Sequence, residues 1–121
     1  MAAWLMVIEV EQKEGVGIVK LAGRRFGAAD IPEFKTTFGK LLSGCNTFVI
    51  DLNDVEFIDS LGLGGLIYAL KAAREAGGDV KLCSMSDSVY RIFKLVQLQR
   101  VFQIFESPNG ALAAIANSED A

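Results

Sequence analysis

The spacing of hydrophobic and polar positions changes period several times along this chain, and each change marks an element. Val7, Ile8 and Val10, then Gly15 and the run Gly17-Ile18-Val19-Lys20-Leu21, read as two strands around a tight glycine-containing turn. The polar, glycine-bearing stretch Gly23-Arg24-Arg25-Phe26-Gly27 reads as a loop. Asp30 has the position of a helix N-cap, with Pro32 in the first turn and Glu33 at the capping-box position. Ile31, Phe34, Phe38 and Leu41 recur at helical spacing, so this helix should bury one stripe to about Leu42, where Ser43-Gly44 ends it.

Thr47-Phe48-Val49-Ile50-Asp51-Leu52 is a short apolar run with β-branched residues, the pattern of a strand buried on both faces. Asn53-Asp54 starts a turn, with Asp51 and Asp54 as turn formers, and Val55-Glu56-Phe57-Ile58 brings the chain back to the interior. A second helix begins near Ser60, places Leu63, Leu66, Ile67 and Leu70 on one face, and stops at Gly77-Gly78. Val80-Lys81-Leu82-Cys83 is the next strand, and Ser86 caps a third helix whose Val89, Ile92, Phe93 and Val96 share a face. Val101-Phe102-Gln103-Ile104-Phe105 reads as the last strand, with Phe93, Phe102 and Phe105 in the core, and Ser107-Pro108 opens a final helix through about Ala116. Two strands followed by alternating strands and helices define an α/β layer protein. Its sheet should be mixed, of about four to five strands with about four to five α-helices, antiparallel at the opening hairpin and parallel at the crossovers. One domain over residues 1–117 is expected, with a short disordered polar tail at 118–121.

Composition narrows the function. At 121 residues, 51% hydrophobic and 22% charged, the chain can bury a real core. Its 12 Lys+Arg against 15 Asp+Glu leave a formal net charge of -3, which argues against nucleic acid as a partner. Histidine is absent, so Ser-His-Asp and Cys-His catalysis and histidine-ligated metals are excluded. Cys45 and Cys83 belong to no CxxC motif and read as reduced, structural thiols. The apolar start Met1-Ala2-Ala3-Trp4-Leu5-Met6-Val7 lacks the basic segment of a signal peptide, and Glu9 and Glu11 interrupt it. No stretch approaches the roughly 18 uncharged apolar residues that span a bilayer. A cytoplasmic protein without membrane insertion is expected.

The most informative stretch is Phe57-Ile58-Asp59-Ser60-Leu61-Gly62-Leu63-Gly64-Gly65-Leu66. An acid and a hydroxyl sit at a turn leading directly into an apolar helix. Taken alone, Asp59 or Ser60 is a helix N-cap. Yet Gly62, Gly64 and Gly65 each weaken the helix by about 1 kcal/mol relative to alanine, which capping does not require. Glycines there let another surface approach the serine closely. The stretch is not a dinucleotide fingerprint, because Ile67 replaces the third glycine, and it lacks the Gly-Lys-Ser/Thr end of a phosphate loop. Ser60 as a catalytic nucleophile lacks a base, and nothing in the spacing nominates a lysine. The chain does not read as an enzyme, nor as binding a metal or cofactor.

Val49-Ile50-Asp51-Leu52 with Phe57-Ile58-Asp59-Ser60-Leu61-Gly62-Leu63-Gly64 resembles the signature of the STAS domain of bacterial anti-sigma factor antagonists. Ala72-Ala73-Arg74-Glu75-Ala76-Gly77-Gly78 and Val89-Tyr90-Arg91-Ile92-Phe93-Lys94-Leu95 are similar to that family as well. The resemblance implies partner switching, with Ser60 as the phosphorylation site. The unphosphorylated form would bind an anti-sigma factor that is also a GHKL-type serine kinase, and so free the sigma factor. Phosphorylation would end that binding, and a PP2C-type phosphatase would restore it. The implied partner surface comprises Asp59, Ser60, Leu61, Gly62, Gly64 and Gly65, with no catalytic residue of its own; the unit would be a monomer or weak homodimer.

Two departures from the family pattern stand out. Leu61 occupies a position where many relatives carry a second hydroxyl, leaving Ser60 as the one phosphorylatable residue of the motif. The loop Gly23-Arg24-Arg25-Phe26-Gly27 is basic where relatives have an acidic segment, which reads either as a solvated loop or as Arg24 and Arg25 meeting a partner with an acidic surface. Phe26 and Trp4 are expected to be partly exposed, and Tyr68, on the polar side of the second helix, to join the same surface. The alternatives are a STAS scaffold subunit of a stressosome-like assembly and a STAS subunit of a lipid transporter.

Overall fold

A computed structural model describes residues 6–120; Trp4 lies outside the described residues. The chain runs β1 (Val7–Lys13), β2 (Val16–Ala22), β3 (Arg25–Phe26), α1 (Ile31–Leu41), β4 (Thr47–Asp51), β5 (Phe57–Ile58), α2 (Ser60–Glu75), β6 (Asp79–Cys83), α3 (Asp87–Leu95), β7 (Gln103–Phe105) and α4 (Pro108–Asp120). Five strands form one sheet in the order β1-β2-β4-β6-β7, and β3 pairs with β5 in a separate two-stranded ribbon. The β1–β2 pair is antiparallel, and every other pairing is parallel. The α/β mixed sheet is as expected from the sequence.

Local chemistry explains the elements. Lys13 pairs with Val16 across a two-residue loop. Glu14 and Gly15 both have positive φ, the conformation a tight hairpin turn of matching twist requires. In β4, Phe48 and Ile50 point into the main core while Val49 points to the opposite face, so the strand is buried on both sides. The Asp51 carboxylate accepts the Asn53 N–H at 2.9 Å, holding the turn that follows. Ser86 caps α3 by accepting the Val89 N–H, and Ser107 accepts that of Gly110 at the start of α4.

The larger core lies between the sheet and α1, α2 and α3. The other face carries a smaller cluster in which Ala111 and Ile115 of α4 cover Val16, Val49 and Cys83. Burying each large apolar side chain contributes about 1.5–3 kcal/mol against the ordering entropy. A line of aromatic contacts, Phe26 to Phe34, Phe34 to Phe38 and Phe38 to Phe48, ties β3 through α1 to β4 with centroid separations of 5.2, 6.0 and 4.3 Å. This line fixes the ribbon that carries the candidate site.

Four expectations need correction. The Gly23–Gly27 segment is not wholly loop, because Arg25 and Phe26 form β3. Asp30 does not cap α1 forward; its carboxylate reaches back to the Gly27 N–H at 2.9 Å, closing a 3-10 turn over Ala28–Asp30. The last strand starts only at Gln103, since a 3-10 turn at Leu98–Arg100 precedes it, and buried Phe102 packs on Phe93 instead of extending the strand. The final helix does not stop near Ala116 but runs on to Asp120.

Candidate functional site

The ribbon β3–β5 delivers the chain to the N-terminus of α2. Its register places Phe26 beside Ile58, both facing inward, and Arg25 beside Phe57, both facing out. After Ile58 the chain turns at Asp59, which has extended backbone and caps the helix, its Oδ1 accepting the Gly62 N–H at 2.8 Å. Oδ2 accepts the Ala28 N–H at 3.2 Å, so one carboxylate also fastens the turn after β3 to α2. Capping falls to Asp59, and Ser60 is left as the first residue of α2, exposed to solvent. The sequence left open which of the two is the cap; the structure separates their roles.

The Asp59 carboxyl is held below its ordinary range, foremost by the Gly62 N–H, then by those of Ala28 and Leu61 and by the Arg25 charge, against partial desolvation. A depressed folded-state value adds stability above the unfolded carboxylate range, and that stability is lost as pH falls through the folded value. Asp59→Ala is therefore expected to lower stability by about 1–2 kcal/mol at neutral pH, as for other lost caps. Asp59→Asn should keep the acceptor but lose the charge. Its deficit against the natural protein in urea melts should shrink between pH 7 and pH 3; a constant deficit would contradict this account of the cap.

The glycines of the motif divide into two kinds. A Cβ on Gly62 would lie 2.4 Å from the Phe26 carbonyl oxygen, and one on Gly65 would lie 2.7 Å from Ile31 Cδ1. Both glycines are buried and serve the packing of α2 on β3 and α1, not the approach of an outside surface. Gly64 is different: it is exposed and nothing lies within 4 Å of the position its Cβ would take. Its helix-weakening effect has no internal packing counterpart. The expectation for Phe26 is also corrected, since its side chain is fully buried, edge-on to Phe34. Period-2 exposure through β3 turns Arg25 outward and Phe26 inward.

What surrounds Ser60 on the outside is apolar with basic accents. Leu61 is 58% exposed and Phe57 45% exposed. Arg25 lies over the Phe57 ring at 4.9 Å. Arg24 grips Glu56 in two-pronged fashion, at 2.7 and 3.3 Å. The outward stripe of α2 continues from Leu61 through Gly64 to Tyr68, whose ring carries Lys35 at 4.8 Å. Of the residues named from the sequence, Asp59, Ser60, Leu61, Gly64, Arg24, Arg25 and Tyr68 thus share the surface around the start of α2, while Gly62, Gly65 and Phe26 lie beneath it. Phe57 was missed; with two-residue strands there is no periodicity to say which way it points. Burial pushes the Cys83 thiol up to about 11, and half-buried Cys45 is also raised, so both cysteines are poor nucleophiles. Among the described residues, no helix is long and apolar enough to cross a membrane.

A five-stranded mixed sheet with helices on both faces, and an Asp-capped, serine-led helix N-terminus presented at one end, defines a single-domain α/β module with an exposed hydroxyl at a strand-to-helix turn. The STAS domain model matches residues 7–111, and this chain belongs to that family. It is 27% identical over 109 residues to the anti-sigma F factor antagonist of Paenibacillus polymyxa, covering 89% of this chain and 93% of that one. It is also 27% identical over 105 residues to the anti-sigma-B factor antagonist of Bacillus subtilis, covering 87% of this chain and 95% of that one. Among solved structures, a Thermotoga maritima protein described as a candidate anti-sigma factor antagonist superimposes with a TM-score of 0.81 at 28% identity, over 90% of this chain and 94% of that chain.

Proposed function

We propose that this chain is a cytoplasmic anti-sigma factor antagonist that works by partner switching at Ser60. The observation that carries the reading is the division of labour at the start of α2, where Asp59 satisfies the helix amides and leaves the Ser60 hydroxyl exposed. In the unphosphorylated form, the surface of Phe57, Ser60, Leu61 and Gly64 binds an anti-sigma factor that is itself a GHKL-type serine kinase, releasing the sigma factor. The kinase then transfers a phosphoryl group from ATP. A bond forms between Ser60 Oγ and phosphorus, the bond to ADP breaks, and the hydroxyl proton passes to a base of the kinase. A PP2C-type phosphatase hydrolyses the ester and resets the switch. In this reading the chain is a substrate and a binding module, while nucleotide and catalysis belong to its partners. Relatives named as anti-sigma factor antagonists, aligned along most of their length, support it.

The test is intact mass and pull-down from the native host, comparing the natural protein with Ser60→Ala. A single phosphate in the natural protein, absent from Ser60→Ala, is expected, with a GHKL-type kinase captured mainly by the unphosphorylated form. No phosphate under any growth condition and no captured kinase would leave Ser60 a first-turn residue only.

A further inference from the structure

A phosphoryl group on exposed Ser60 gains from a positive counterpart, and the helix end does not supply the usual one. The first-turn amides of Leu61 and Gly62 already point into the Asp59 carboxylate. The helix dipole there faces a group that is itself negative, so a dianion added next to it meets repulsion. Arg24 is engaged by Glu56, Lys35 lies over Tyr68, and Asp30 is bound to the Gly27 N–H. Arg25 is differently placed: it is exposed, its guanidinium lies over the Phe57 ring with no hydrogen-bonded carboxylate among the described residues, its charge already acts on Asp59, the residue before Ser60, and with Asp59 and Asp30 it lines one shallow cavity of about 350 Å³.

We propose that Arg25 is the in-chain receptor for a phosphoryl group on Ser60, leaving the Phe57 ring to pair with the phosphate when the hydroxyl is esterified. A guanidinium over an exposed ring is held weakly, whereas a phosphate offers it charge-assisted, two-pronged hydrogen bonds. Phosphorylation then changes the surface twice, adding a charge at position 60 and stripping the cation from Phe57. This assigns the basic β3 segment to reading the state of Ser60.

The inference rests on Ser60 being the phosphorylation site, so the test installs phosphoserine at position 60 during synthesis and needs no kinase or partner. The probe is the ³¹P resonance of the phosphoprotein, titrated from pH 4 to 8 in the natural background, R25Q and R25K. Repulsion from Asp59 acts alike in all three and cancels in the comparison. The second phosphate pKa is expected to be about half a unit lower in the natural background than in R25Q, the size an exposed ion pair allows. R25K should keep part of that shift, and 1 M salt should erase it. The Phe57 ring protons should move on phosphorylation in the natural background and stay still in R25Q. Superimposable ³¹P titrations for the natural background and R25Q overturn the proposal.

Discussion

Gly62→Val is expected to lower stability by about 3 kcal/mol or more, a drop in Tm of at least about 10 °C. The first added carbon would sit 2.4 Å from the Phe26 carbonyl oxygen and 2.8 Å from Ile58 Cγ1. The oxygen is backbone, and β3 cannot retreat without breaking its pairing with β5 and the Phe26–Phe34 contact beneath it. The helix propensity recovered on losing a glycine is under about 1 kcal/mol and cannot offset such a clash. Gly64→Ala supplies the control on the same helix. Its methyl group enters open space, so stability should rise by about 0.5–1 kcal/mol. If both variants melted alike, α2 would not be seated on β3 in solution as described. The two glycines also separate folding from binding, because a partner packed against the outward stripe of α2 should bind Gly64→Ala more weakly despite its higher Tm.

Most of the fold was legible in the sequence because its elements are long enough for a period to register. The stripe Leu63, Leu66, Leu70 in α2 and the doubly buried run Phe48-Val49-Ile50 in β4 each repeat their signal. The ribbon β3–β5 was not legible, since two residues contain no period and their pairing joins positions far apart in the chain. That one omission produced the others at the site. With β3 read as loop, Phe26 looked exposed, Arg24 and Arg25 looked equivalent, and Phe57 looked internal. Once Arg25 pairs with Phe57 and Phe26 with Ile58, alternate residues fall on opposite faces and all these assignments reverse together. Likewise, a glycine that relieves an internal clash and one that lies open to solvent are the same letter; only the distance to Phe26 and Ile31 tells Gly62 and Gly65 from Gly64. Asp30 is a similar case. Its type and position fit a forward cap, but the 3-10 turn before α1 gives its carboxylate a nearer amide behind it.

Ser60→Glu should abolish partner binding while leaving the fold unchanged. The residue is exposed at the first position of α2, where an acidic side chain is tolerated, so thermal stability should stay within about 0.5 kcal/mol of the natural protein. The interface is another matter. Leu61 and Phe57, on either side of Ser60, expose apolar surface that a partner would dehydrate, and a carboxylate set between them, beside the carboxylate of Asp59, would have to lose its water in an apolar contact. A loss of about 100-fold or more in affinity for the captured kinase is expected by titration calorimetry, equivalent to about 2.7 kcal/mol. Ser60→Ala removes only a hydroxyl and should bind within a few-fold of the natural protein, so size and charge at position 60, not the loss of serine, make the difference. Unchanged affinity in Ser60→Glu would move the interface away from the start of α2. A Tm lower by about 5 °C or more would instead mean that the switch acts through the fold, which the cap at Asp59 argues against, because its three backbone donors do not involve the Ser60 side chain.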